Sequence, residues 1–560
     1  MPSLTETDGL TVVLGVLAAS AFLWHTFLTP QSLVHPILLG RQSDVDRVRQ
    51  PHESAVYRNY GTGLMGMLPA RPANSILTLL DLIKPDFTVI RSLWASEITN
   101  EKLRSRSTAL ANGLVRFAGL QPKESNVLLL LNDGIDFLIA DLALASQSIP
   151  SFTITSLTLL ATVFDAHPPS AIILHVNFLE HVLEQIAENA EYTHHTLILV
   201  GEGDLPDFVE KLKVKILWLT DLERKGARED AVQGPPIQPQ DIFSVSFYPG
   251  PKNELKATRL THQNLTAGVA ATRALFPLTG AISSSDSIVS SHSLSTSFGR
   301  AIAYTALYEN AHFSTIDTTN FFSRDGTSTK EAEAVKQLCA TVPAPTITFL
   351  TPSQLNSIIS SILTLARNSP FFSIAWRHKL SHLRHGFLSK DSLWDNSFLA
   401  GPRKTVLKGW ADSLRSVIIS GEVTEAKSLT PARLALSVPI INAHEHPLVA
   451  GPVFFSHPLD FQEFSEYSAG NPEFAGIAHV GPPSINIEAK IVGVDDAAVE
   501  KGADPVGEVH QVVVRGPSVT LPLDDDDKEI APGDWVSLGE RGLAQTNGTF
   551  KVVPARKYHI

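Results

Sequence analysis

The sequence predicts an α/β fold of layered subdomains, followed by a small β-rich subdomain and preceded by one transmembrane helix. From about Ser96, apolar runs of strand length alternate with segments whose apolar residues recur at helical spacing. After about Pro439 the strands are shorter, and Gly and Pro turns separate them. Ahead of both regions, Leu10–Leu28 runs without a formal charge, which is long enough for one membrane span.

These patterns divide the chain into consecutive segments. The linker contains the apolar stretch Ser75–Ile83, which we interpret as a buried helix rather than a helix lying on a membrane face. The segments are a short tail (1–9), a transmembrane anchor (10–28), a linker and N-terminal segment (29–95), an α/β region (96–438) and a β-rich subdomain (439–560).

The strands of the α/β region are continuous apolar runs. Asn126–Leu131 reads NVLLLL, and the helix IDFLIADLALAS leads from it to the strand SFTIT. Further strands are predicted at AIILH, TLILV and KILWL. Because these runs have no polar face, we expect a sheet that is covered on both sides.

The uncharged N-terminal run favours a membrane anchor over two alternatives. At about 1.5 Å per residue it spans roughly 28 Å of helix, close to one hydrocarbon core. A cleaved signal peptide is the first alternative, because Ala19–Ala21 resembles a cleavage site, but Glu6 and Asp8 stand where that class has cations. A buried core helix is the second. The first cations after the run, Arg41 and Arg47, place the large C-terminal portion in the cytosol by the positive-inside bias.

Composition excludes one class of partner and one kind of cross-link. The net charge of -12 and the isoelectric point near 5.9 argue against nucleic acid. Cys339 is the only cysteine, so no intrachain disulfide forms, which fits a reducing compartment. The acidic run Asp524–Asp527 is interpreted as a solvated loop. The histidines His378, His382 and His385 are interpreted as a solvated helix face rather than a metal site.

Several motifs occur in one order along the chain. LTHQNL (Leu260–Leu265) is followed by Ala375–Asp395, by LRSVIISGE (Leu414–Glu422) and by SHPLDF (Ser456–Phe461). AHVGPPSINIEAKIV and GEVHQVVVRGPSV continue the set. Together they resemble the long-chain fatty acyl-CoA synthetases of the adenylate-forming, AMP-binding superfamily, from about residue 96 to 557. The resemblance implies the layered α/β fold of that family's N-terminal domain.

The family's phosphate loop is the first departure. The family has Tyr-Thr-Ser-Gly-Ser-Thr-Gly-x-Pro-Lys-Gly, whereas this chain reads YPGPKNELKA (Tyr248–Ala257). Such a loop surrounds phosphate with backbone N–H groups and hydroxyls. Pro249 and Pro251 have no N–H to donate, and Glu254 adds a negative charge. The sequence therefore predicts a poor phosphate site.

The family's adenine and magnesium motif is the second departure. With the following GPV setting the register, Tyr-Gly-x-Thr-Glu becomes His-Glu-His-Pro-Leu in the stretch Ala443–Val449. Pro447 and Leu448 replace the Thr that binds the α-phosphate and the Glu that holds magnesium, and leucine cannot ligate a metal ion. His444 could still stack on a base. A zinc site at His444-Glu445-His446 is the alternative, but it lacks a third ligand at suitable spacing.

Two milder departures complete the candidate site. The ribose-binding Thr-Gly-Asp becomes LGE, in which Glu540 could still reach a ribose. The sequence reaches the family's hinge at its end, so we expect the small C-terminal domain and its adenylation lysine to be absent. The candidate cofactor-binding residues are Gly250, Lys256, His444 and Glu540, Lys256 being the candidate remnant of catalysis, and no metal ligand is expected.

These departures predict a membrane-anchored acyl-CoA synthetase-like pseudoenzyme that binds acyl chains or a lipid-metabolic protein partner. No cofactor is expected. The alternative is an active ATP-dependent long-chain fatty acid–CoA ligase, with an altered nucleotide site or a C-terminal domain supplied by another polypeptide. That enzyme would use ATP, magnesium and CoA. The expected partners are the lipid bilayer, a fatty acid or acyl-CoA, and the protein partner. The expected location is the endoplasmic reticulum membrane, as a single-pass protein with its large domain in the cytosol.

Overall fold

The computed structural model describes residues 9–23, 32–63, 66–85, 87–188, 196–203, 214–316, 319, 321, 344–462, 472–501, 512–523 and 533–553. The strands are β1 (Ser43–Arg47), β2 (Val56–Asn59), β3 (Arg91–Leu93), β4 (Ser96–Ile98), β5 (Val127–Leu130), β6 (Ser151–Ile154), β7 (Ala171–His175), β8 (Thr196–Val200), β9 (Lys215–Trp218), β10 (Ile242–Pro249), β11 (Leu255–Thr261), β12 (Ser287–Ser290), β13 (His312–Thr315), β14 (Ile347–Leu350), β15 (Ser416–Ile419), β16 (Ile440–Glu445), β17 (Pro452–Phe455), β18 (Glu488–Ile491), β19 (Val512–Arg515), β20 (Leu521–Pro522), β21 (Val536–Ser537), β22 (Arg541–Ala544) and β23 (Phe550–Val553).

Helices connect and cover these strands. They are α1 (Gly9–Leu23), α2 (Pro36–Gly40), α3 (Asn100–Gly113), α4 (Ile135–Ser146), α5 (Leu160–Ala166), α6 (Leu179–Glu188), α7 (Leu219–Gly226), α8 (His262–Arg273), α9 (Ser297–Glu309), α10 (Pro352–Ala366), α11 (Phe372–Arg384), α12 (Leu393–Phe398), α13 (Ala400–Leu407), α14 (Trp410–Ser413), α15 (Ala426–Leu436) and α16 (Asp496–Glu500).

The first sheet has the strand order β20-β11-β10-β6-β5-β7-β8-β9. Its central strands are parallel, whereas β11 pairs antiparallel with both of its neighbours. In β5, Val127 and Leu129 pack toward the central helices, and Leu128 and Leu130 pack toward α5 and α6. The predicted two-sided burial of the apolar runs is therefore confirmed.

The second sheet has the order β17-β16-β15-β14-β12-β13-β3-β4 and is parallel from β16 to β3. Helices α3, α4, α8 and α9 lie between the two sheets and contribute to one buried apolar cluster with both. Helices α10, α14 and α15 cover the outer face of the second sheet. The result is five alternating layers of helix and sheet, which confirms the predicted α/β class.

The third sheet is antiparallel, with the order β1-β2-β18-β19-β21, and β22 and β23 form a separate hairpin. The sheets differ from the predicted division of the chain in two places. Strands β1 and β2 come from the predicted linker but pair into the β-rich sheet. Strand β16 follows the predicted boundary at residue 438 but pairs in parallel with β15, because its apolar residues extend the second sheet.

The N-terminal segments are described in part. Helix α1 (Gly9–Leu23) includes residues 10–23 of the predicted span at 10–28, and residues 24–28 lie outside the described residues. Within the described part of the chain, no helix combines the length and the apolar character that crossing a bilayer requires. The stretch Ser75–Ile83 forms a short 3-10 helix at Leu79–Leu82 whose leucines Leu79 and Leu82 are buried, as the interpretation of a buried helix requires.

A buried ion pair joins the central helices to the first sheet. Arg300 of α9 and Asp141 of α4 have no exposed side-chain surface, and Nη2 of Arg300 lies 3.0 Å from Oδ1 of Asp141. The hydroxyl of Tyr304 donates to Oδ2 of Asp141 at 2.9 Å, and Arg300 also donates to Ser244 on β10. These partners satisfy the carboxylate, which is the condition under which a charge can be buried.

Candidate functional site

The carboxyl ends of three parallel strands, β12, β15 and β16, bring ionisable and hydroxyl groups to one edge of the second sheet. His292 follows β12, Ser420 follows β15, and His444 and Glu445 end β16. Because β12, β14, β15 and β16 are parallel, their carboxyl ends meet at the same edge. This edge is where open α/β sheets bind their ligands.

The segment that matches the family's phosphate loop forms the turn of a tight β-hairpin. Strands β10 and β11 remain paired up to Tyr248 with Lys256 and Pro249 with Leu255. The N–H of Gly250 donates to the Glu254 carbonyl at 2.8 Å, which closes the turn. No open loop around a ligand is left between the two strands.

The polar groups of this hairpin turn are used by the turn itself. The N–H of Asn253 donates to the Gly250 carbonyl at 2.9 Å, and the N–H of Lys252 donates to the Glu254 carboxylate at 2.8 Å. Hydrogen bonds from its own N–H and from that of Lys252 lower the pKa of the Glu254 carboxyl, so the group stays ionised at neutral pH. Prolines 249 and 251 have no N–H, and the N–H groups of Gly250, Lys252 and Asn253 all have acceptors inside the turn.

The structure places the four predicted cofactor-binding residues in two separate groups. Gly250 lies in the hairpin turn, where the Glu254 side chain folds over it, and Lys256 is exposed on β11. His444 and Glu540 instead contact each other, with Nε2 of His444 2.7 Å from Oε2 of Glu540. The contacts among the described residues do not join these two groups.

The His444–Glu540 pair is a largely buried imidazole–carboxylate contact, with side chains 15% and 10% exposed. Burial lowers the pKa of His444, but the charge and hydrogen bond of Glu540 outweigh it and leave the pKa raised. Burial raises the pKa of Glu540, but the charge and hydrogen bond of His444 outweigh it and leave the pKa lowered. Nε2 of His444, the side chain predicted to stack on a base, is therefore already bonded to the Glu540 carboxylate.

The positions of the family's threonine and glutamate have structural roles in this chain. The side chain of Leu448 is 6% exposed and packs in the apolar cluster of the β-rich subdomain with Val449, Val453 and Phe454. The carbonyl of Pro447 accepts a hydrogen bond from the Ser297 hydroxyl at 3.1 Å, at the start of α9. Neither side chain offers an oxygen to a metal ion.

Metal-binding clusters are absent from the described residues. No group of three or more His, Cys, Asp or Glu side chains in that part of the chain could hold an ion. His444 and Glu445 of the zinc alternative face different partners, Glu540 and His292. The rings of His378 and His382 contact each other on α11, with centroids 4.1 Å apart and planes inclined by 48°. Cys339 and the acidic run at 524–527 lie outside the described residues.

Sequence reasoning missed a three-residue chain of contacts at the same sheet edge. The Ser420 hydroxyl oxygen lies 2.7 Å from Nε2 of His292, and Nδ1 of His292 lies 3.2 Å from Oε2 of Glu445. Ser420 has no exposed surface and His292 is 6% exposed. The three residues are far apart in sequence, so their spacing carries no signal. Only the pairing of β12, β14, β15 and β16 brings them together.

A buried carboxyl group accompanies these contacts. Asp133 follows β5 in the first sheet, and its Oδ1 accepts from the Ser293 hydroxyl and from the N–H of Leu294, both at 3.0 Å. Burial raises the pKa of Asp133 to about 7. Asp133, which follows a strand of the first sheet, therefore holds residues 293 and 294 of the loop after His292 in the second sheet.

Comparison with known proteins agrees with this architecture. The family model described as AMP-binding enzyme matches residues 84–522. Solved structures of similar fold include the anthranilate CoA ligase AuaEII in complex with anthranoyl-AMP, with a TM-score of 0.59, 17% identity, and 87% of this chain and 78% of that chain covered. A benzoate CoA ligase from Burkholderia xenovorans has a TM-score of 0.58, 17% identity, and coverage of 85% and 79%.

Sequence relatives point to one branch of these proteins. Long-chain-fatty-acid–CoA ligase 5 of Mus musculus is 24% identical over 372 residues, which are 65% of this chain and 49% of the relative. Long-chain-fatty-acid–CoA ligase 6 of Homo sapiens is 25% identical over 421 residues, 72% of this chain and 52% of the relative. The chain thus spans about half the length of the curated relatives it matches.

The layered fold and the strand-edge site define a protein of the adenylate-forming class. The chain belongs to the AMP-binding enzyme family. The resemblance to long-chain fatty acyl-CoA synthetases that the motifs predicted is confirmed by the relatives found.

Proposed function

We propose that this chain is a membrane-attached, acyl-binding member of the AMP-binding enzyme family that no longer activates fatty acids with ATP. The observation that carries the proposal is the closed hairpin at residues 249–255, in which the N–H groups of Gly250, Lys252 and Asn253 are used internally. A triphosphate at this turn would have to displace these internal acceptors before the N–H groups could bind phosphate. ATP and magnesium are therefore not expected to bind there.

A cavity of about 600 Å³ supports the acyl-binding part of the proposal. It lies between β11, the start of α8 and the β-rich sheet, and its walls combine apolar residues, three arginines and the acidic residues Glu488 and Asp534. Such a combination suits an anion with a hydrocarbon tail, because the tail gains roughly 0.8 kcal/mol for each buried methylene group. The apolar walls are Leu68, Ile242, Val519, Leu521 and Val536, and the cationic ones are Arg58, Arg259 and Arg515.

Arg259 is the cavity's best candidate for contacting an anionic head group. Arg58 and Arg515 both form ion pairs with Glu488. Arg259 donates to the Pro522 carbonyl at 2.9 Å, and its buried Nε has no acceptor among the described residues. A carboxylate or phosphate entering the cavity would supply that acceptor, and a charge-assisted bond of this kind is the stronger class.

Binding of oleate, oleoyl-CoA and free CoA to the detergent-purified chain tests this proposal. We expect saturable binding of at least one acylated ligand without ATP, weakened at least fivefold by Arg259→Gln. Arg224→Gln is the matched control, because the side chain of Arg224 is 65% exposed on α7. Oleate binding would identify the carboxylate as the head group, and binding of oleoyl-CoA alone would identify the CoA phosphates. No saturable binding of any acylated ligand would refute acyl binding and leave a lipid-metabolic protein partner as the remaining role.

Membrane attachment through the N-terminal apolar run is the other part of the proposal. Carbonate extraction of membranes should leave the chain in the pellet, and protease added outside sealed vesicles should digest the large domain. Glycan attachment is a poor topology marker here, because the side-chain amide of Asn264 donates to the carbonyls of Pro517 and Val519 at 3.0 and 2.9 Å. Release by carbonate would contradict the anchor.

A further inference from the structure

The contacts from Ser420 to His292 and from His292 to Glu445, at the edge of the second sheet, have the arrangement that activates a serine as a nucleophile. When the Ser420 hydroxyl donates to Nε2 of His292, the ring's proton lies on Nδ1, which faces Glu445 at 3.2 Å. A nucleophile, a base and a carboxylate that orients the base, in this order, are what serine-dependent acyl transfer requires. The constellation is recognised by this geometry rather than by the order of the residues in the chain.

Glu445 is the member that sets this chain apart from the motif it resembles. It occupies the glycine position of Tyr-Gly-x-Thr-Glu, so its carboxylate is an addition at the sheet edge. The Glu445 side chain is 25% exposed, but its Oε2 atom is buried, has no other hydrogen-bond partner among the described residues, and lies 3.2 Å from Nδ1 of His292. Burying a carboxylate oxygen is costly unless a partner compensates it, and the His292 imidazole is in position to do so.

We propose that Ser420, His292 and Glu445 form an acyl-transfer site that hydrolyses an activated acyl group, an acyl thioester or an oxygen ester. Ser420 Oγ attacks the acyl carbonyl carbon, and its proton passes to Nε2 of His292. The C–S or C–O bond breaks, and the leaving thiol or alcohol takes that proton. Water then attacks the acyl-serine, giving one proton to His292, which returns it to Ser420 as the carboxylic acid is released. Glu445 is a positioning residue that holds the imidazole.

The loop after Ser420 provides both the oxyanion donors and the route of access. Residues 421–423 are exposed, and Gly421 has φ +96°, a conformation that favours glycine. In the described part of the chain, the N–H groups of Gly421 and Glu422 have no acceptor. Such donors stabilise the negative charge of a tetrahedral intermediate. Because Ser420 itself is buried, the substrate carbonyl reaches it only when this loop moves.

Ser420, His292 and Glu445 are not among the residues that line the acyl cavity. The identity of the natural substrate as an acyl compound rests on the proposed function, whereas the reactivity of Ser420 does not. Hydrolysis of an acyl thioester needs neither ATP nor magnesium. It is therefore compatible with the closed hairpin at residues 249–255. With an acyl-CoA substrate, the reaction would break, with water, the kind of bond that the fatty acid–CoA ligase activity named for the relatives forms.

Labelling by a short-chain fluorophosphonate tests the site directly, since this reagent phosphonylates activated serines and needs no acyl cavity. We expect the full-length chain in detergent to be labelled at Ser420, as located by peptide mass spectrometry, and to hydrolyse p-nitrophenyl butyrate. Ser420→Ala should abolish both signals. Ser416→Ala is the matched control, because Ser416 is a buried serine on β15, the strand that leads to Ser420, and its hydroxyl donates to the Pro439 carbonyl; the variant should leave both signals unchanged.

Substitutions of Glu445 test whether its carboxylate positions the His292 imidazole or only supports the fold. Glu445→Gln should slow labelling about tenfold or more, and Glu445→Asp should recover part of that rate. Glu425→Gln removes an exposed carboxylate that pairs with Lys427 and is not part of the proposed site, and it should change the rate less than about twofold. Thermal unfolding of each variant confirms that it is folded.

Two results would overturn the inference. One is the absence of label on Ser420 in the folded wild-type chain, and the other is labelling that Glu445→Gln does not slow. Loss of oleate binding with intact labelling would refute the acyl cavity alone. Intact oleate binding without labelling would refute the hydrolytic site alone.

Discussion

The hairpin turn at residues 249–255 and the strand-edge cluster of His292, Ser420, Glu445, His444 and Glu540 both contain residues that match nucleotide motifs of the family, yet their polar groups are used differently. In the hairpin, the polar groups satisfy one another within one turn. In the cluster, they form contacts between strands that are distant in sequence. Loss of a phosphate loop therefore does not remove ionisable chemistry from the rest of the site.

The difference follows from how each region is built. A hairpin turn needs only local hydrogen bonds, so a few substitutions such as Pro249 and Glu254 are enough to close it. The cluster depends on the parallel pairing of β12, β14, β15 and β16, which the buried core maintains. As long as the core folds, these side chains remain close to each other.

The largest effect is expected from the buried ion pair that supports both regions. Arg300 contacts Ser244 on the strand leading to the hairpin, and α9, which carries Arg300, begins after the cluster's His292. Asp141→Ala leaves the guanidinium unpaired and should lower the free energy of unfolding by about 3–5 kcal/mol. Urea unfolding measures this loss. The double variant with Arg300→Met should recover part of it, and a loss below about 1 kcal/mol would contradict the role given to the pair.

A smaller, pH-dependent effect is expected at the cluster. The raised pKa of His444 contributes stability that is present below its usual 6.5 and is lost as pH rises through the higher folded value. The lowered pKa of Glu540 contributes stability that is present above its usual 4.5 and is lost as pH falls through the lower folded value. Both contributions are therefore present between about pH 4.5 and 6.5.

His444→Gln should consequently cost about 1.5–3 kcal/mol in that window and less at pH 9. Two other ionisable residues, Glu445 and His446, also lie near His444 and are kept unchanged in the variant. Burial lowers the pKa of His446. Unfolding free energies measured from pH 4.5 to 9 test the prediction. A difference between wild type and variant that does not vary with pH would show that the pair is not ionised.

The smallest effect is expected at the hairpin. Glu254→Gln weakens the bond from the Lys252 N–H, but the turn lies at the surface, where such contacts contribute little. The free energy of unfolding should change by less than about 0.5 kcal/mol. Thermal unfolding at neutral pH measures the change. A loss above about 1 kcal/mol would mean that the hairpin supports the fold rather than merely closing a loop.

The sequence predicted much of the scaffold because its signals are local. The apolar runs predicted β5 to β9, and the motif LTHQNL contains Thr261, the N-cap of the helix that begins at His262. The prolines of the phosphate loop predicted its lost donors from covalent chemistry alone. Those signals lie within a few residues of the features they predict.

The remaining features depend on long-range pairing. The parallel addition of β16 to β15 could not be read from residues near Pro439, where the turn-rich pattern suggested a new subdomain. The contact between His444 and Glu540 joins residues that were each assigned to a nucleotide. Ser420, His292 and Glu445 are far apart in the sequence, so only the assembled sheet reveals that they touch.

Pyrophosphate exchange with a long-chain fatty acid and magnesium-ATP tests most directly whether the hairpin has ended adenylate formation. Loss of charge stabilisation by a metal ion removes several kcal/mol from transition-state binding, and each 1.4 kcal/mol is about tenfold in rate. We expect no exchange above background for the wild type, and none for Leu448→Glu, because that change restores a carboxylate but not the loop donors. Lys256→Ala should be indistinguishable from both. Exchange in the wild type that disappears in Lys256→Ala would show that the turn opens to bind ATP, and would support an active ligase instead.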